Sequence, residues 1–257
     1  MSVKGIKTSS LLVTILIMLN VYTWPVSYAQ SHEEQPPPEQ RYEVSPSDYR
    51  IHSLDGDSQK NVLLTFDDGP MGESTKQLLD VLDRHHAKSI WFVNGFRLAE
   101  KKQDGTYVIK PEKAALLQEI VKRGHLIGNH TWWHANLRKL PEEQQREEIE
   151  STSKVIAEII GEPPRYFRPP FGASTEASDR ISRELGMQPM NWSVGSLDWD
   201  PHVYKVPGAI TKQVLSTIHD GANILFHDRS WTAAELDQTL SALAHLGFHF
   251  VLPTEVR

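Results

Sequence analysis

The chain has 257 residues, 39% of them hydrophobic and 23% charged, with a formal net charge of −6 and a pI near 6.1. That is enough apolar material for a sizeable core, and the acidic balance excludes nucleic-acid binding through bulk charge. There is no cysteine, which excludes disulfides, a thiolate nucleophile and cysteine-held metals, so any metal must be bound by His, Asp or Glu.

In chain order, Lys4 and Lys7 precede the apolar run Leu11 to Trp24 and the small-residue pattern Ser27-Tyr28-Ala29. This reads as an export signal over residues 1–29, cut after Ala29. The run is short for the roughly 20 residues of a membrane span, and an uncleaved anchor is the second reading. The mature protein is therefore expected outside the cytoplasmic membrane, secreted or in the cell wall, as a monomer without stable membrane insertion. Residues 30–58, with EEQPPPEQ, read as a Pro/Gln/Glu-rich linker. Residues 59–257 read as one domain. Within it, strands are expected at 61–66, 89–94, 125–129, 166–169, 187–194, 223–228 and 248–253. Helices follow the Pro-at-start, Gly-at-end pattern, as in PEKAALLQEIVKRG and PEEQQREEIESTSKVIAEIIG. This alternation predicts a parallel α/β architecture, either an open doubly wound sheet or a barrel, and no GxGxxG follows the first strand. The segment 101–111 reads as a loop or a hairpin insertion.

Polar clusters fall at the expected strand ends, where a parallel barrel builds its active site. Asp67-Asp68 ends the first strand, although adjacent strand residues point to opposite faces. A plain turn at Gly69-Pro70 explains the pair equally well. His130 and His134, in HTWWH, have a spacing that offers two nitrogens to one metal, a weak signal alone among 12 histidines. Two His and one carboxylate would leave a coordination position open for chemistry. Arg168 opens RPPFG, Asp198 lies in SLDWD and His227 in ILFHD. Trp132 and Trp133 suit core or rim packing somewhat better than a sugar platform. HExxH and GxSxG are absent.

TFDDGP, HTWWH, RPPFG, SLDW and LFH occur in the order and approximate spacing of the five motifs of polysaccharide deacetylases, the carbohydrate esterase family 4 or NodB-homology group. The resemblance spans roughly residues 60 to 253. It implies an α/β fold, a distorted (β/α)7-type barrel of mostly parallel strands. It implies a divalent metal, Zn²⁺ first with Co²⁺ or another ion allowed, held by Asp68, His130 and His134. Asp67 resembles the general base, Arg168 the partner that holds it, His227 the general acid and Asp198 the residue that orients His227. The Phe171 backbone N–H resembles an oxyanion donor, and Trp199 and Leu225 the lining of an acetyl pocket. The implied partner is an N-acetylated polysaccharide, peptidoglycan or a chitin-like polymer, with release of N-acetyl groups. Removal of O-acetyl groups from xylan and non-catalytic sugar binding are the competing readings. One departure stands out: Gly195 occupies a position, three residues before Asp198, where the family often has an acid.

Overall fold

A computed structural model describes residues 1–2, 40–56 and 58–255. The expected export signal therefore lies, past its first two residues, outside the described residues, as does the start of the expected linker. The order is β1 Tyr42–Val44, β2 Ile51–Ser53, β3 Lys60–Gly69, α1 Glu73–Arg84, β4 Ser89–Val93, α2 Gly95–Leu98, β5 Ala99–Lys101 and β6 Tyr107–Ile109. Then come α3 Pro111–Lys122, β7 Leu126–Asn129, α4 Glu142–Ile160, β8 Tyr166–Phe167, α5 Glu176–Glu184, β9 Gln188–Pro189 and β10 Val194–Gly195. The chain finishes with α6 Pro201–Tyr204, α7 Ala209–Thr217, β11 Ala222–His227, α8 Ser230–His245 and β12 Phe248–Phe250. The expected helix grammar holds: Pro111 opens α3, and α4 runs between Pro141 and Gly161, whose φ of 84° is open to glycine at little cost.

The main sheet has the order β10-β11-β3-β4-β7-β8-β9, with β12 also pairing β3, and every pairing is parallel. This is the expected α/β fold of parallel strands, a distorted (β/α)7-type barrel in the form of a half-barrel. The strand expected at 187–194 is interrupted. Its start pairs β8 and its end pairs β11, while residues 190–193 cross the gap where a full barrel would close. Asn191 accepts hydrogen bonds there from Arg168 and Asn223. The segment at 101–111 belongs to an antiparallel hairpin of β5 and β6.

β3 sets the inside and outside of the barrel through its period of two. Val62, Leu64 and Phe66 pack outward with Leu78 and Leu82 of α1. Leu63 packs inward with Ile90, Phe92, Tyr166 and Met190. Tyr42, Val44 and Ile51 join that inner cluster. Residues 42–53, read from the sequence as linker, are thus an antiparallel hairpin at the N-terminal end of the barrel, where Ile51 N–H also donates to Gly221 O. The opposite, C-terminal end of the strands is left for the polar clusters.

Candidate active site

β3 does not end at Phe66 as expected but runs to Gly69, with a register irregularity against β4 between Asp67 and Gly69. Asp67 continues the inward face of Leu63 and Thr65. Asp68 would point outward with Phe66, but it sits in the left-handed region at φ 72° and its side chain returns to the same pocket. A bulge thus lets two neighbouring carboxylates share one site. Such φ values recur through the motifs: Thr131 at 65°, His134 at 58°, Phe171 at 61° and Leu197 at 53°. For non-glycine residues each costs of order 1–2 kcal/mol, and such strain concentrates at functional sites.

Asp67 is buried, and its Oδ1 accepts from Arg168 Nη1 at 2.8 Å. Arg168 is fully buried, lies over the Phe92 ring at 4.1 Å, and also donates to Thr65 Oγ1 and Asn191 O. Gly128 makes room for this arrangement, since a Cβ there would stand 2.4 Å from the Phe92 ring. Burial pulls the Arg168 pKa down from its usual value, against the pull of Asp67.

Asp68, His130 and His134 offer ligand atoms that all lie within 4.8 Å of one another. Asp68 Oδ1 is 3.3 Å from His134 Nε2 and 3.8 Å from His130 Nε2, and it accepts no hydrogen bond among the described residues. His130 Nδ1 lies 2.7 Å from Arg168 O, and a carbonyl only accepts, so Nδ1 carries the proton and Nε2 presents its lone pair. An orphaned buried carboxylate oxygen facing a lone-pair nitrogen fits a divalent cation, and this second-sphere bond is typical of metal-binding histidines. Burial opposes the charge of Asp68, but His130, His227, His134 and Arg229 outweigh it and hold its pKa below the usual value. Burial, then His130, lowers that of His134.

His227 Nδ1 is 2.7 Å from Asp198 Oδ1, which leaves Nε2 for the pocket. Asp198 is fully buried, and its Oδ2 accepts from His227 N and Thr232 Oγ1, while Trp231 Nε1 donates to its carbonyl. Burial works against protonation of His227, but the hydrogen bond and charge of Asp198, then Asp67 and Asp68, raise its pKa. Asp200 instead caps α6 through His202 N, so of the two candidate aspartates in SLDWD it is Asp198 that meets His227.

Asp67, Asp68, His130, His134, Phe171, Asp198, Trp199, Leu225 and His227 line one pocket of about 410 Å³, with Arg168 buried beneath it. Trp192 and Arg229 also line it, and sequence reasoning missed both. Arg229 Nη2 donates to Asp68 Oδ2 at 2.6 Å, so one carboxylate oxygen is held and the other faces the histidines. The only sequence signal for Arg229 is its place two residues after His227. The departure at Gly195 is filled by Trp199: a Cβ there would be 3.0 Å from Trp199 Cη2.

The parallel half-barrel thus brings a carboxylate–arginine pair, a carboxylate–dihistidine cluster and a carboxylate–imidazole pair to one mouth, a set able to hold a cation and to move protons. The chain belongs to the polysaccharide deacetylase family, whose model matches residues 55–190. It is 34% identical over 200 residues to the peptidoglycan-N-acetylglucosamine deacetylase PgdA of Listeria monocytogenes, covering 77% of this chain but only 39% of that protein. It is 32% identical over 223 residues to a peptidoglycan-N-acetylglucosamine deacetylase of Bacillus cereus, covering 84% of this chain and 96% of that one. Among solved structures, a CE4 family pseudoenzyme from Bacillus anthracis superposes with a TM-score of 0.64 at 25% identity, over 74% of this chain and 62% of that one.

Proposed function

We propose that this protein is an exported, metal-dependent N-deacetylase that removes acetyl groups from N-acetylglucosamine-type residues of peptidoglycan or a closely related polymer. The observation that carries this reading is the meeting of two charge pairs, Asp67–Arg168 and Asp198–His227, with the Asp68–His130–His134 cluster around one pocket. A pseudoenzyme shares the fold, so the fold alone does not argue for activity, whereas the side chains do. The relatives named for peptidoglycan favour that polymer over chitin. Residues 1–29, read as an export signal, would bring the enzyme to it.

Asp68 Oδ1, His130 Nε2 and His134 Nε2 would hold the metal. A divalent cation there supplies Lewis acidity, polarising the amide carbonyl and lowering the pKa of a water from about 15.7 towards about 7. Zn²⁺ suits this donor set, and the affinity order admits Co²⁺. Asp67 takes the proton of the attacking water, and Arg168 on Oδ1 orients that carboxylate. His227 Nε2 gives a proton to the departing amine, while Asp198 fixes the ring by accepting from Nδ1–H. The Phe171 N–H donates to the oxygen on which charge develops. Trp199 and Leu225, with Trp192, bound the space for a small acyl group.

Purified protein should release acetate from peptidoglycan or N-acetylated chito-oligomers, and chelation should abolish release until Zn²⁺ or Co²⁺ is restored. Release from acetylated xylan alone would overturn the N-deacetylase reading. Chelator-insensitive release would overturn the metal.

A further inference from the structure

Outside the pocket, HTWWH contains two tryptophans of opposite fate. Trp132 is fully buried, whereas Trp133 is 58% exposed. Exposed large aromatics are rare among the described residues: they are Trp133, Phe171 and Trp199. All three lie in segments that follow the C-terminal ends of barrel strands, and Phe171 and Trp199 line the pocket mouth. Trp133 precedes His134 but is not part of the pocket lining, and nothing in the proposed chemistry uses it.

Trp133 is built as a platform. Its ring stacks on Phe96 with centroids 6.0 Å apart and planes 17° apart and meets the Trp132 ring edge-on at 6.3 Å, while more than half of the residue stays exposed. The Arg97 guanidinium lies 4.7 Å from the centre of the Phe96 ring, and Arg97 Nε donates to Asp68 O at 3.2 Å. The backbone beneath is fixed. Gly95 N and Phe96 N donate to Thr131 O and Trp132 O, and Trp133 N donates to Glu148 Oε2 at 2.7 Å. Gly95 has no substitute here, since a Cβ would stand 2.3 Å from Trp132 Cε3. The platform is thus joined to the site twice, by the Trp133–His134 peptide bond and by Arg97 on Asp68.

A flat, exposed, rigidly backed indole beside a polar cleft has an apolar face suited to the C–H face of a pyranose ring, and its order is already present before binding. We infer that Trp133, backed by Phe96, forms an additional sugar subsite that stacks a pyranose ring of the polymer outside the pocket, on its Asp68–His134 side. This rests on the glycan-deacetylase reading above for the identity of the ligand. It makes the site a reader of chain length: a residue in the pocket and one further along the chain on Trp133 bind together, so oligomers long enough to span both gain affinity that the disaccharide lacks.

The test is calorimetric titration of the full-length protein with N-acetylglucosamine oligomers of two to six residues, alongside acetate release from the same series. Wild-type affinity should rise with length. Trp133→Ala should flatten the rise, costing about tenfold on the longest oligomer, and Trp133→Phe should keep most of it. In kinetics the loss should fall on KM of long oligomers more than on kcat. If acetate is released but Trp133→Ala binds every length as wild type does, the subsite is wrong and the deacetylase reading stands. If no acetate is released yet affinity rises with length and depends on Trp133, the subsite stands without that reading. Absence of oligomer binding overturns the subsite whatever the activity.

Discussion

At the scale of single residues, the site separates two aspartates that are chemically identical and adjacent. Asp67 is tied to Arg168, while Asp68 faces two histidines with an oxygen that accepts no hydrogen bond among the described residues. Asp67→Asn should leave Zn²⁺ affinity near wild type and lower kcat by about 10²- to 10⁴-fold. Asp68→Asn should weaken Zn²⁺ by more than the about 10- to 100-fold typical of losing an outer-sphere partner. Isothermal titration with Zn²⁺ beside acetate-release kinetics checks both, and loss of metal in both variants would show the roles wrongly divided. His227 gives a pH prediction. Its pKa is raised, chiefly by the Asp198 hydrogen bond working against burial, so as an acid it stays protonated to higher pH than a free histidine. Asp198→Asn removes that support. The alkaline limb of the kcat/KM profile should then move to lower pH, with the acidic limb in place. An alkaline limb that does not move would exclude His227 as the acid.

At the scale of elements, the sequence disclosed what depends on local pattern and concealed what depends on where chains meet. Helices α3 and α4 were legible because Pro and Gly punctuate their ends, and the motif residues were legible because each follows a β-rich run. The bulge at Asp68 was not, since nothing in TFDDGP distinguishes a strand that stops from one that shifts register. The break in the strand expected at 187–194 follows from two different neighbours, β8 and β11, which no local composition encodes. Arg229 stands at the N-cap position of α8 without a capping side-chain hydrogen bond, so no cap signature marks it in the sequence. The hairpin β1–β2 was read as linker because its two strands have only three residues each and lie among Ser, Pro and Asp. Yet it buries Tyr42, Val44 and Ile51, and Val44 O accepts from the buried Gln188. A chain beginning at residue 59 should therefore be less stable than one beginning at residue 40. A loss of at least about 2 kcal/mol is expected, because each such side chain contributes about 1.5–3 kcal/mol before ordering costs. In a thermal melt that is about 4–8 °C for a domain of this size. Equal melting temperatures would return the hairpin to the status of a linker.

At the scale of the whole molecule, the pocket couples distant parts of the chain through one cluster of charges. Asp68 comes from the end of β3, His130 and His134 from the turn after β7, and Arg229 from the start of α8's approach. Asp68 is paired with Arg229 at 2.6 Å and faces the His134 imidazole, whose charge burial disfavours. Filling that position would join β3 to the β7 turn across β4, which lies between them in the sheet. A ligand that binds only the folded state stabilises it by RT ln(1 + [L]/Kd), about 2.7 kcal/mol at a hundredfold excess over Kd. For a domain of this size the melting temperature should therefore rise by about 5–11 °C in saturating Zn²⁺ and fall back on chelation. The rise should vanish in His134→Ala and persist in His227→Ala, because only the former removes a proposed ligand while both remove an imidazole from the same pocket. Scanning calorimetry of the three proteins with and without Zn²⁺ decides it. An equal rise in wild type and His134→Ala would place the cation elsewhere, and a rise lost in both variants would mean that the whole charge cluster, rather than the Asp68–His130–His134 set, holds it.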